Sequence, residues 1–155
     1  MDAAARRAAM SAEISRQTGI DDAMIRDLVH AFYARVRDDE LLGPVFDARI
    51  ADWAPHLDRM CDFWSSVALM SGRYHGQPMQ KHLELPVDAR HFDRWLDLFQ
   101  ATARDRCPPA AADHFIERAQ RIAQSMEMGI ATYHGIMLGR QERLHRSELD
   151  TVDNH

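Results

Sequence analysis

At 155 residues, with 46% apolar and 28% charged side chains, the chain suits one domain around a single hydrophobic core and is too apolar to be disordered. A formal charge of −5 creates no general field for nucleic acid or an anionic membrane surface. No apolar run approaches the roughly 20 residues of a membrane span, and Met1-Asp2-Ala3-Ala4-Ala5-Arg6-Arg7 lacks the apolar centre of a secretory signal, so the cytoplasm is the expected location.

Residues 1–19 are rich in Ala and Arg, weakly patterned and closed by Gly19, and read as an extension or a loosely docked helix. Asp21 or Asp22 then caps a helix whose apolar positions Ile25, Leu28, Val29, Phe32 and Val36 follow the helical stripe, with Tyr33 beside it. Gly43-Pro44 predicts a stop, with Val45-Phe46 in a connecting loop. A second helix begins near Asp52, where Pro55 fits only the first turn, and Gly72 is its expected end. Its apolar face is Trp53, Leu57, Met60, Cys61, Trp64, Val67 and Ala68, with His56 on the border. After a loop over 72–78 comes a short segment carrying His82 between Pro78 and Pro86. A third long helix spans about Ala89 to Cys107, with Phe92, Trp95, Leu96 and Phe99. A fourth spans about Ala111 to Leu138, and the polar residues from Arg140 onward read as a fraying tail. No stretch alternates with period two, so the class is all-α.

Nine histidines and nine methionines are many for this length, though neither enrichment identifies a cofactor. Cys61 and Cys107 have no CxxC spacing and fall within apolar helical patterns, which favours reduced, buried thiols; without CxxCH there is no covalent haem attachment motif. HExxH, a phosphate loop and a nucleophile elbow are missing. The single Glu-x-x-His, Glu142 to His145, cannot make a di-iron centre alone. Asp88, three residues before His91, is explained as a helix cap. Arg104, Arg106, Arg118 and Arg121 are interleaved with acids as on solvated helix faces.

His82 is the most informative candidate. A short segment between two prolines, flanked by Leu83 and Leu85, can aim one imidazole into an apolar pocket as an iron ligand. An ordinary histidine would be a surface or hydrogen-bonded structural residue. Tyr33, His56 and Trp95 likewise have plain readings, as a core tyrosine, a helix-start histidine and a core tryptophan. Together they supply a phenol, an imidazole and an indole N–H, a donor set suited to a polarised diatomic ligand.

Three blocks give the chain a family resemblance. They are His30-Ala31-Phe32-Tyr33-Ala34-Arg35-Val36-Arg37 with Leu42-Gly43-Pro44-Val45-Phe46; Trp53-Ala54-Pro55-His56 leading to Phe63-Trp64; and Tyr74 to Pro86 with Phe92 and Trp95 after it. In order and spacing they resemble the truncated haemoglobins, specifically the third group (P-type), over roughly residues 20–138. The glycine motifs of the other two groups are missing, which agrees with that assignment. The resemblance implies a two-over-two helical sandwich, with an N-terminal extension over 1–19 and a polar tail over 139–155. It implies haem b, held non-covalently, with His82 as the proximal iron ligand. Tyr33, His56 and Trp95 become the distal residues, Phe46 packs on the haem face, and Arg59 stands near a propionate. Met60, Phe63, Trp64, Leu85 and Phe92 complete the cofactor-binding set.

A five-coordinate iron with that distal side would take O2, NO, CO or peroxide. Charge-assisted hydrogen bonds worth about 1–3 kcal/mol each would hold O2 tightly, a poor property for a carrier. Chemistry on the ligand (NO or peroxide detoxification, with an external reductase) therefore competes with sensing or storage. The rival from another class is a cofactor-free helical interaction domain, followed by a non-haem metal protein.

Overall fold

The structure is a computed structural model and describes residues 2–145, with the side chain of Gln80 excepted. Among the described residues there are seven helices and no strand. They are α1 (Ala3–Thr18), α2 (Asp22–Asp38), α3 (Leu42–Arg49), α4 (Trp53–Leu69), α5 (Pro78–His82), α6 (Ala89–Arg106) and α7 (Pro109–Tyr133).

The extension is a regular helix with its own cap, since the Asp2 carboxylate accepts from Ala5 N–H. It ends at Gly19, whose φ of 77° lets its N–H return to the Ser15 carbonyl. None of its residues is buried. It lies across the end of α4, where the Ser11 hydroxyl donates to the Leu69 carbonyl. In α2 the cap is Asp21, accepting from Met24 N–H at 2.8 Å, and the predicted stripe is buried from Ile25 to Val36 together with Tyr33.

The stop expected at Gly43-Pro44 is instead the first turn of α3. Proline costs nothing there, because N–H groups in a first turn have no helical acceptor. The Asp39 carboxylate takes up two of those free donors, from Leu41 at 3.1 Å and Leu42 at 3.0 Å, and also accepts from Arg94 Nε at 2.6 Å. Gly43 is needed for closeness: a Cβ there would stand 2.7 Å from the Arg37 carbonyl oxygen. Val45 and Phe46 are therefore held on a helix.

Helix α4 stops earlier than expected, at Met70 with φ 57°. Asp88 caps α6 as expected: its carboxylate accepts from the backbone, while His91 Nδ1 reaches the Asp88 N–H. Helix α7 ends five residues before the expected Leu138, where the chain turns at His134.

The architecture is two helix pairs stacked on each other. α2 packs with α4, α6 with α7, and the layers meet through α2 on α6 and α4 on α7. Between them lies the main core, including Ile25, Leu28, Phe32, Trp64, Phe99 and Phe115. A smaller cluster of Val87, Ile130, Ala131 and Leu144 sits at the end that carries α5. Leu144 corrects the fraying tail, since it is 0% exposed. Residues 146–155 of that tail lie outside the described residues. Both cysteines are free and half-buried, and burial raises the pKa of each thiol.

Candidate functional site

The five residues of α5 are too few to be a stable helix alone, so their position is set by packing. Pro78 at the first position fixes the entry, and His82 occupies the last. His82 Nδ1 lies 2.5 Å from the Pro78 carbonyl oxygen, one turn back. A carbonyl can only accept, so Nδ1 carries the hydrogen and Nε2 is the free basic nitrogen. A ring so fixed is ready to ligate a metal through Nε2.

A nest of rings contributed by three helices surrounds Tyr33. Tyr33 of α2 meets Phe46 of α3 at 6.0 Å, Trp53 of α4 at 6.0 Å and His56 of α4 at 5.5 Å between ring centroids. Trp53 and His56 also meet edge-on at 5.6 Å. His56 Nε2 is buried with no hydrogen-bond partner. Such an orphan costs about 1–3 kcal/mol unless something in the pocket satisfies it.

Burial, with the charges of Arg59 and Lys81 and the neighbouring His82, pushes the His56 pKa down to about 4, so the ring is neutral at physiological pH. The influence of His82 and Lys81 shows that the end of α5 lies near the start of α4. Burial pushes the Tyr33 phenol well above its ordinary range, and Tyr33 stays a hydrogen-bond donor throughout the working range of pH.

Helix geometry sorts the remaining predicted residues. At about 100° per residue, Met60 and Phe63 fall within about 40° of His56 on α4, whereas Trp64 is rotated about 80° away. Met60 and Phe63 are half-buried accordingly, and Phe63 meets Tyr74 of the connector at 5.3 Å. Trp64 is 1% exposed and stacks on Phe99 at 4.8 Å in the main core. Trp64 is thus not among the residues brought together here; its bulk fills the space between the layers. Trp95 is half-buried, edge-on to Phe32 at 5.5 Å and stacked on Phe99 at 5.5 Å, and Phe32 links it to Tyr33. Leu85 and Phe92 pack on the smaller cluster beneath α5, with Val45 of α3. Arg59 is exposed, close enough to His56 for its charge to be felt.

One ring was read from the sequence as part of an apolar face and of a family block, with no role in the site. Trp53 closes the outer side of the nest, with the Arg37 guanidinium 4.5 Å above its ring. The available signal was its position three residues before His56, which places both on one side of α4. Among the described residues no group of three or more His, Cys, Asp or Glu side chains could hold a metal ion. A cofactor that brings its own equatorial ligands needs one imidazole from the protein, and His82 offers that.

Comparison with known proteins identifies the family and the fold. The family model of the bacterial-like globins matches residues 17–128. The group 3 truncated haemoglobin of Campylobacter jejuni is 33% identical over 121 residues, covering 75% of this chain and 95% of that protein. The crystal structure of a group III truncated haemoglobin from Campylobacter jejuni superposes with a TM-score of 0.64 at 34% identity, over 69% of this chain and 88% of that one. A thermostable haemoglobin from the actinobacterium Thermobifida fusca shares the fold with a TM-score of 0.61 at 22% identity, over 73% of this chain and 94% of that one. The chain belongs to the bacterial-like globins and, within them, to the group III truncated haemoglobins.

Proposed function

We propose that the chain binds haem b non-covalently through His82 and accepts O2, NO, CO or peroxide on the side lined by Tyr33, His56 and Trp95. Binding haem and a small gaseous ligand is the general function of globins, and the residues present fit that group. The observation that carries the reading is the pairing of two imidazoles. His82 has Nδ1 committed to a carbonyl and Nε2 free, and His56, near enough to feel it, has a buried Nε2 with no partner. A polar ligand between them would satisfy the orphan.

When bound, haem supplies an iron with one coordination position left open for a diatomic ligand. The rest is the work of this chain. Tyr33, kept protonated by burial, donates its O–H to the ligand, and the Trp95 indole N–H is a second donor from α6. Neutral His56 would either donate to the ligand or accept from it, according to tautomer. Phe46, Met60 and Phe63 would line the distal and edge faces and exclude water, Leu85 and Phe92 the proximal one. Arg59 offers a cation at the rim for a propionate. Neither cysteine lies in a CxxCH motif, which supports non-covalent attachment.

Several donors around one small ligand favour retention over delivery. Turnover of NO or peroxide, with electrons from a separate reductase, therefore fits better than oxygen transport. The absorption spectrum of the pure protein in ferric, ferrous and CO-bound states tests the reading. A Soret band that shifts on reduction and again on CO addition is expected; protein reconstituted with haem that shows none refutes it.

A further inference from the structure

We propose that residues 134–145 form a strap that positions the His82 segment, with Leu144 as its anchor and Arg143 as its clasp; the proposal rests on the haem reading of His82. The strap follows the residues that the family model matches, 17–128.

Leu144 is inserted completely, at 0% exposure, among Val87, Ile130 and Ala131, with Leu85 and Phe92 packed on the same cluster. Its backbone is held at both ends. The Leu144 N–H donates to Glu127 Oε2 at 2.8 Å, and its carbonyl accepts from Ala89 N–H at 2.8 Å. Ala89 is the first residue of α6, so its N–H lacks a helical acceptor and the strap supplies one.

Arg143 closes the arrangement. Its Nε donates to both Glu127 oxygens at 3.1 and 2.9 Å, and its Nη2 reaches Asp93 at 2.8 Å and the Ala89 carbonyl at 3.4 Å. Glu127 is only 6% exposed. Without Arg143 its carboxylate would lose its cationic partner in a largely buried setting. One side chain thus ties the start of α6 to the latter half of α7.

This tie bears on His82 because α5 hangs between those two helices. On one side Met79 seats against Gly129 of α7, where a Cβ would come within 2.3 Å of Met79 Sδ. On the other side the chain runs from His82 through Leu85 to Val87, and Val87 is part of the cluster that Leu144 fills. The turn is closed by Leu85 N–H to the His82 carbonyl at 3.1 Å and Val87 N–H to the Leu85 carbonyl at 2.9 Å. Residues 143 and 144 therefore act on the metal-binding imidazole through the floor on which its segment rests. They are positioning residues and do not touch the site.

The test compares Leu144→Ala and Arg143→Met with Ile116→Ala, a core change in α7 remote from the strap, and with Arg143→Lys. Three quantities are read on the full-length haem-loaded protein: the rate of haem transfer from the ferric form to excess apomyoglobin, the iron–histidine stretching band of the ferrous form, and the thermal midpoint. The two strap variants should lose haem at least fivefold faster and shift or broaden the iron–histidine band. Ile116→Ala should lower the midpoint with haem loss within twofold of wild type, and Arg143→Lys should recover part of the retention. Arg143 is 40% exposed, so its variant carries the test if the Leu144 cavity prevents folding. Unchanged haem loss and an unchanged band in the strap variants would overturn the proposal, as would equal effects from Ile116→Ala. A wild-type chain that takes up no haem overturns the haem reading itself, and this proposal with it.

Discussion

Replacing Tyr33 by Phe removes one oxygen atom and little else. The ring is 6% exposed and held by Phe32 at 5.0 Å, His56 at 5.5 Å, and Phe46 and Trp53 at 6.0 Å; phenylalanine keeps all four contacts, so the pocket should hold its shape. What disappears is a donor kept protonated by burial. A hydrogen bond to a ligand carrying partial negative charge is worth about 1.5–3 kcal/mol, which converts to a factor of roughly 10 to 150 in the ligand off-rate. Bound CO is less polarised, so its off-rate should change by less than about threefold on the same scale. Stopped-flow displacement of O2 by CO measures the first rate, and displacement of CO by NO the second. Because the phenol does not titrate below its raised pKa, the difference between wild type and variant should be constant from about pH 6 to pH 9. An O2 off-rate within twofold of wild type would remove Tyr33 from the ligand's hydrogen-bond shell. Equal acceleration for O2 and CO would mean that the substitution opened the pocket rather than deleting a donor.

His82→Ala should abolish stable haem retention while leaving the helical circular-dichroism signal of the apo-protein near wild type; normal haem content would overturn the proximal assignment. For His56 the sign follows from its depressed pKa. The folded ring takes up a proton near 4 and the unfolded one near about 6.5. Between those values the unfolded chain binds more protons, so stability rises with pH across the window. His56→Gln should flatten that rise in apo-protein unfolding midpoints measured from pH 4 to 7, and an unchanged slope would refute the assignment. Gly43→Ala places a Cβ 2.7 Å from the Arg37 carbonyl oxygen. It should cost about 1–3 kcal/mol through overpacking against a backbone atom, measured by urea denaturation, and a loss below about 0.5 kcal/mol would contradict the close approach.

Long amphipathic helices were legible because their periodicity repeats over several turns. The buried stripe of α2, its Asp21 cap and the Asp88 cap of α6 needed only local rules. The boundaries that went astray did so for tertiary reasons. Gly43-Pro44 reads as a break, yet at the start of α3 proline costs no hydrogen bond and glycine permits a contact with α2 that no local pattern announces. Arg143 and Leu144 look like solvated tail, and only the buried Glu127 and the gap between Ile130 and Val87 explain why they dock.

Within the site the same division holds. The isolation of His82 between two prolines, and its order relative to Tyr33, His56 and Trp95, were written in the chain and were enough to suggest the group III truncated haemoglobins. Which aromatic rings cluster around Tyr33 and His56 was not. Trp53, Phe63 and Trp64 all lie on one amphipathic helix, and a rotation of about 80° from His56 sends Trp64 into the core while Phe63 stays on the His56 face two turns along. Sequence determines which residues can share a helix face, because that is a matter of 3.6 residues per turn. Which face meets the core and which is left toward the candidate site depends on where neighbouring helices pack, and that is decided only when α2, α4 and α6 come together.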